Sequence, residues 1–338
     1  MSSSIPAARS RRTFPGIGAV TWEHPADRAA LQTLRAVPGA EEVIKKILAM
    51  IGGERGIRLL FQGNAVRVGP EQYPRIWTLH TEVCTTFDWE KVPELYVSQT
   101  PFVNAGAYGI DEPFIVLNSS AIELLNDDEM RVLISHEMGH VISGHSLYRT
   151  IAAILALISL GALPALAGIA LLPVRLAFLE WSRKSELSSD RAGLLGSQDI
   201  LSTQRLFMKL AGGGRGEQFV GQLNVDAFIA QANEYATTNE GLDIVYKVLA
   251  TLGLTHPMST VRAGELQKWV ASGDYERIVR GEYIHRGAET RERPLKDDLA
   301  AAGRHYAAGA RDVASQVADA AKGVADRVGE AFRQAQKS

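Results

Sequence analysis

The chain has 338 residues, 46% of them hydrophobic, enough to bury a substantial core as one large domain or as a domain with appendages. A formal net charge of −2 argues against a nucleic-acid-binding protein. The single cysteine, Cys84, excludes an internal disulfide and a cysteine-built zinc cage, weighs against a deformylase-like site that needs a cysteine ligand, and fits a reducing compartment.

Residues 1–20 are rich in Ser, Arg, Pro and Gly and lack an apolar core, so they read as a disordered arm and not as a signal peptide. Apolar spacing at Leu31, Leu34 and Val37, then at Val43, Ile44, Ile47 and Leu48, predicts two helices broken at Pro38-Gly39. A short apolar run at 57–61 precedes a helical segment over about 73–87, in which His80 reads as an ordinary helix residue. The period then changes. Residues 94–99, 102–108 and 114–118 alternate or run apolar between turn residues, as strands do. Asn126 followed three residues later by Glu129 resembles a capping box, so the next helix starts near Asp127 and runs to about Ser143. The fold class is therefore α+β and mostly helical, with a small β-sheet next to that helix.

Inside it lies Ser135-His136-Glu137-Met138-Gly139-His140, of the form His-Glu-x-x-His. Positions i and i+4 share one face of a helix, so His136 and His140 can point two imidazoles at one metal ion. Glu137 stands at the edge of that face, placed to hold a water for a zinc hydrolase. Two histidines leave a catalytic zinc short of one protein ligand. The metzincin pattern fails, because the positions it needs are Ser143 and Ser146. On a continuing helix His145 would lie well round from the two ligands, either behind them or at the surface. The better third ligand is Glu186 in Glu186-Leu187-Ser188-Ser189-Asp190, whose two carboxylates lie at i and i+4. Glu186 would bind the ion while Asp190 accepts the far ring proton of one histidine.

Residues 151–174 are apolar apart from Ser159 and are interrupted by Gly161, Pro164, Gly168 and Pro173. A single membrane crossing would put the two histidines on the opposite side from Glu186, and two crossings need about 40 residues. Arg149 flanks one end and Arg175, Arg183 and Lys184 the other, so both ends carry the cytosolic charge signature. The segment reads as a helical hairpin turning near Pro164, either dipping into a membrane surface or buried against a hydrophobic protein partner or its own core.

Further helices are predicted over 200–210, 219–235 and 242–252. Gly212-Gly213-Gly214 between the first two is a linker. Without a following Lys-Ser/Thr it is no phosphate cradle, and no nucleotide partner is expected. A charged linker at 291–298 leads into an Ala-rich tail, where Val313, Val317 and Ala321 recur as Val324, Val328 and Phe332. That narrow stripe suits an amphipathic helix or a disordered tail.

The set Asn104-Ala105, His136-Glu137-x-x-His140 with His145, Glu186-x-x-x-Asp190, and Thr255-His256-Pro257 with Arg262 resembles the zinc metallopeptidases of the HtpX and CAAX prenyl endopeptidase type, over about residues 55–270. The resemblance implies a zincin-like, gluzincin-type core with one Zn2+ per chain, bound by His136, His140 and Glu186. It implies Glu137 as catalytic base, Asp190 behind the ligands, and His256 and Arg262 near the metal, stabilising the oxyanion or ordering the site. It maps an edge strand for an extended peptide substrate onto 103–118, including Asn104 and Ala105. The domain plan is an arm (1–20), a metallopeptidase domain (21–285) with the hairpin inserted at 150–175, and a linker and tail (286–338). The expected activity is zinc-dependent endoproteolysis in the cytoplasm or at the cytoplasmic face of a membrane, directed at misfolded or membrane-associated proteins, with no nucleic-acid partner. The alternative is a latent or non-catalytic zinc-containing adaptor that docks through its hairpin and tail.

Overall fold

The computed structural model describes residues 11–37, 39–50, 52–158, 165–214, 217–219, 221–238 and 256–288. The hairpin tip at 159–164, the helix expected at 242–252, Thr255, and the linker and tail from 289 lie outside them. In chain order come α1 (Pro25–Ala36), α2 (Ala40–Met50), α3 (Gly53–Asn64), β1 (Ala65–Arg67), α4 (Pro74–Thr86), β2 (Leu95–Ser98), β3 (Ala105–Tyr108), β4 (Phe114–Asn118) and α5 (Ser119–Leu124). There follow α6 (Asp127–Ile142), α7 (Ser146–Ile158), α8 (Ala165–Ser197), α9 (Ile200–Gly212), α10 (Val225–Thr237), α11 (Ser259–Ala271) and α12 (Asp274–Arg280). The architecture is α+β and mostly helical, with one four-stranded sheet.

The sheet order is β1-β2-β4-β3, with β2 and β4 parallel and the other pairs antiparallel. Side chains alternate across it. Leu95, Val97, Ala105, Ala107, Ile115 and Leu117 enter the main core with α6, whereas Tyr96, Phe114 and Val116 meet Ile57 and Phe61 of α3 on the other face. Three of the four strands follow the sequence pattern; β1 is a three-residue addition, Ala-Val-Arg, too short to display a period. The capping box forms as expected, with Asn126 accepting from the Glu129 N–H and Glu129 from the Asn126 N–H, both at 3.0 Å. The helix expected at 219–235 instead begins at Val225, because the Asn224 side chain caps it by accepting from Ala227 N–H at 3.0 Å.

Two boundaries shift. Residues 11–20 are not a disordered arm: Phe14 and Ile17 are buried in the main core with Val83, Cys84 and Phe87, and Phe14 N–H donates to Thr86 C=O at 2.8 Å. Isolated apolar residues in a polar segment show no period, yet each fills a slot in a groove that other elements build. At the far end Arg286 N–H donates to Gly16 C=O at 2.8 Å, so the packed unit continues past residue 285. The described ends of the apolar hairpin are covered by protein: Ile151, Ala152 and Val174 are buried with Ala30 and Leu34 of α1, Ile47 of α2 and Trp181 of α8. Among the described residues no helix is long and apolar enough to cross a membrane.

The contact that shapes the site is the crossing of α6 and α8, built on small residues. A Cβ added at Gly139 of α6 would stand 2.6 Å from Ala192 Cβ, and one at Gly196 of α8 would stand 2.5 Å from Ser135 Cβ. Any larger side chain drives the helices apart. Gly264 in α11 is the opposite case, since a Cβ there meets nothing within 4 Å. Gly196→Ala is therefore expected to destabilise by ~1–3 kcal/mol and Gly264→Ala to stabilise by ~0.5–1 kcal/mol, as read by chemical denaturation. Burial raises the Cys84 thiol pKa to about 12. Native protein at pH 8 should accordingly resist alkylation at Cys84 and react on unfolding, as followed by mass spectrometry.

Candidate metal centre

On α6 the i, i+4 spacing sets His136 and His140 side by side, their rings 4.9 Å apart at 80°. Across the crossing, α8 brings Glu186 up against both: His136 Nε2 lies 3.4 Å from Glu186 Oε2, and His140 Nε2 lies 3.2 Å from Glu186 Oε1. One ligand atom from each of the three residues falls within 4.8 Å of the others, and all three side chains are buried. A tetrahedral ion with bonds of about 2.0–2.1 Å needs donors about 3.3–3.4 Å apart, and each histidine already has one Glu186 oxygen near that separation. The donor set, two imidazoles and a carboxylate, is that of open zinc sites. Glu186 Oε2 has no hydrogen-bond partner, nor does Oε2 of the neighbouring Glu137. Two buried, unpartnered carboxylate oxygens in one place call for a cation or a water.

Each of these groups has its acidity moved by its surroundings. Burial opposes ionisation of Glu186, but His256, Arg149 and His136 outweigh it and hold its pKa well below the usual range. Glu137 goes the other way, raised mainly by burial with Arg149 and His136 opposing. Burial lowers the His136 pKa, yet Glu186 and Asp190 outweigh it and bring the value up to about 9. His140 is held well below its ordinary value by burial and by Arg149.

Asp190 lies one turn beyond Glu186, with Oδ1 3.0 Å from His136 Nδ1. Arg262 of α11 grips Asp190 with two nitrogens, Nε donating to Oδ2 at 2.9 Å, and lies 3.6 Å from Glu186 Oε2. Its nearest contacts are to Asp190. His256 is half-buried, with Nε2 3.6 Å from Glu186 Oε1. Glu186 attracts a proton to it, but burial and the cations Arg149 and Arg262 prevail and bring its pKa down to about 4. Asn104, exposed, and Ala105, buried, open β3 and are not among the side chains that converge on the triangle.

Three site residues have no local mark in the sequence. Arg149, noted there only as a flanking charge, is buried, bonds Glu186 Oε1, and lies with Nη1 3.0 Å from His140 Nε2. Tyr108 of β3 is within electrostatic reach of Arg149 and Glu137, and burial pushes its phenol pKa up. Asp27 of α1 is buried against His145. His145 itself is neither on a continuing helix nor at the surface. Helix α6 stops at Ile142, Gly144 turns the chain at φ +69°, and the His145 ring returns to His140.

Residues 70–270 match the model of peptidase family M48. The chain belongs to that family. A relative named plastoglobule-localized metallopeptidase 48, chloroplastic, from Arabidopsis thaliana is 35% identical over 272 residues, covering 79% of this chain and 77% of that protein. An HtpX protease homologue from Helicobacter pylori is 43% identical over 51 residues, 14% of this chain and 16% of its own length. One from Tropheryma whipplei is 29% identical over 104 residues, 28% of this chain and 35% of its own length. No solved structure matches this chain. Membership of M48 makes the chain a protease, with proteins or peptides as its substrates, and the buried His-His-Glu group fits a metal site of that family.

Arg149 already presents positive charge to His140 and Glu186. Arg149→Ala leaves Glu186 buried without that partner, a loss worth ~3–5 kcal/mol in the metal-free protein, while a bound divalent ion would replace the charge. The variant should therefore melt well below wild type in chelator and close most of that gap when Zn2+ is added. An equal gap in both conditions would contradict this.

Proposed function

We propose that this M48 member is a zinc-dependent endopeptidase that binds one Zn2+ through His136, His140 and Glu186 and uses Glu137 as its general base. The carrying observation is the buried group of His136, His140 and Glu186 with the Glu137 carboxylate beside it, whose Oε2 has no hydrogen-bond partner. When bound, zinc supplies Lewis-acid chemistry, acidifying a water and polarising the scissile carbonyl. Glu137 takes the proton from the attacking water and returns it to the leaving amine; its raised pKa brings it nearer the range where a base is efficient. His256 donates to the oxyanion, and Arg262 keeps Asp190 on His136. Asp190 accepts the Nδ1 proton of His136 and so turns the lone pair of Nε2 toward the ion.

We assign the substrate an extended path along β3, an edge strand of the sheet, with Asn104 and Ala105 at its head. The setting we assign is the cytoplasm or the cytoplasmic face of a membrane, and the task is turnover of misfolded or membrane-associated protein. Support for that setting is the single buried cysteine and the apolar composition of residues 151–174. The Arabidopsis relative is named for a plastoglobule location. In the domain plan proposed here, the catalytic unit takes in residues 11–288 and the tail follows it.

A second reading, a latent or non-catalytic zinc adaptor, is favoured by one observation: Arg149 lies against the ligand edge of His140 and Glu186. A structural site, however, has no use for a buried base next to its ligands. Zinc content and casein cleavage separate the two. Glu137→Gln should keep stoichiometric zinc and lose about 10²–10⁴-fold in turnover, whereas His140→Ala should lose both. Wild-type turnover in Glu137→Gln would remove Glu137 from its role, and zinc in both proteins with cleavage in neither would favour the latent reading.

A further inference from the structure

His140 turns Nε2 toward the ligand triangle and Nδ1 the opposite way, into the protein. There His140 Nδ1 lies 3.1 Å from Nδ1 of His145, and His145 Nε2 lies 3.2 Å from Oδ2 of Asp27. Ser188 Oγ donates to the same Asp27 oxygen at 2.6 Å and accepts from the His24 backbone N–H at 2.9 Å. All four side chains in this series are buried, with exposures of 0% at His140, 2% at His145, 1% at Asp27 and 0% at Ser188. The His145 ring is also wedged edge-on against Trp181, with centroids 5.5 Å apart.

Two ring nitrogens 3.1 Å apart make a hydrogen bond only when one carries a proton and the other a lone pair. Both ends of the series decide which. At one end burial favours a neutral Asp27, but His145 and Ser188 outweigh it and keep the carboxylate ionised, hence purely an acceptor. His145 Nε2 must therefore carry a proton. At the other end His140 Nε2 meets a donor, Arg149 Nη1 at 3.0 Å, and an acceptor, Glu186 Oε1 at 3.2 Å; accepting from Arg149 leaves the lone pair on Nε2 and the ring proton on Nδ1. The His140 Nδ1 proton then points at His145 Nδ1. With a proton on His140 Nδ1, His145 Nδ1 at 3.1 Å must present its lone pair, so His145 carries its proton at Nε2 alone. A metal ion in the place of the guanidinium makes the same demand for a bare Nε2.

Resting on the zinc reading given above, we propose that Asp27 is a positioning residue of the metal centre, acting through His145 to hold His140 as the Nδ1–H tautomer with its Nε2 lone pair aimed at the ion. The two histidine ligands are thus supported by different devices. His136 leans directly on Asp190, a carboxylate of the same helix as Glu186, while the carboxylate behind His140 stands one imidazole further away. It comes from α1, outside the residues 70–270 that match the family model. The turn at Gly144 makes this reach possible, since it folds His145 back so that its N–H bonds the His140 carbonyl at 2.9 Å. Helix α1 is fixed in turn by Ala30 and Leu34 packing on Phe178 and Trp181 of α8.

A plainer role for the Asp27–His145 pair, fastening α1 to the rest of the core, would affect stability but not the tautomer of His140. The test has two arms on the full-length protein. In the first, zinc affinity is measured by competition with a chromophoric chelator for wild type and Asp27→Asn, with the melting temperature of each metal-free form as the folding control. Loss of this supporting charge should weaken zinc binding about 10–100-fold. In the second, long-range 1H–15N spectra of the wild-type histidines are recorded with zinc bound, which needs no variant to fold. His140 should be protonated at Nδ1 alone and His145 at Nε2 alone. Zinc affinity in Asp27→Asn equal to wild type, or a His145 protonated on both nitrogens in the zinc form, overturns the relay while leaving the zinc reading intact. A wild type that binds no zinc overturns both.

Discussion

At the crossing of α6 and α8 the two helices are separated by little more than Gly139, Ala192, Gly193 and Gly196. That approach sets the distances between the α6 histidines and the α8 carboxylates. With larger residues in the seam, the imidazoles of α6 and the carboxylate of α8 would stand too far apart to share one ion. As it is, the histidine nitrogens and the Glu186 oxygens meet at 3.2–3.4 Å. The seam also excludes water from the ligands, which deepens both the cost of each buried charge and the value of each partner.

The second constraint is charge. Glu137, Glu186 and Asp190 are buried carboxylates beside two buried guanidiniums, Arg149 and Arg262, and Asp27 is buried further back, on His145. The arginines are divided. Arg262 is committed to Asp190 on the outer side of His136, and Arg149 lies on the inner side, against the ligands themselves. The N-terminal part of the chain enters the same balance through Asp27, so residues that pack as a brace on α8 also supply part of the polar scaffold.

Much of this centre was legible in the sequence because its chemistry is local. His136 and His140, and Glu186 and Asp190, are i, i+4 pairs, and a helix necessarily puts each pair on one face. Asn126 and Glu129 announce their helix start in the same way. What escaped notice is long-range. Asp27 is 118 positions from His145, Arg149 resembled a flanking charge, and Tyr108 sits in a short strand whose residues only approach α6 after folding. The misreading of 11–20 has the same origin: Phe14 and Ile17 are buried by α4 and the core around it, not by any pattern of their own. Strand β1 has too few residues to carry a period at all.

The central claim, a zinc ion held by two imidazoles and a carboxylate between α6 and α8, is tested most directly by zinc K-edge X-ray absorption on the purified full-length protein. The expected result is one zinc per chain in a four-coordinate shell of nitrogen and oxygen, with outer-shell scattering from two imidazoles and no sulfur. A shell without imidazole scattering, or one containing the sulfur of Cys84, would contradict it.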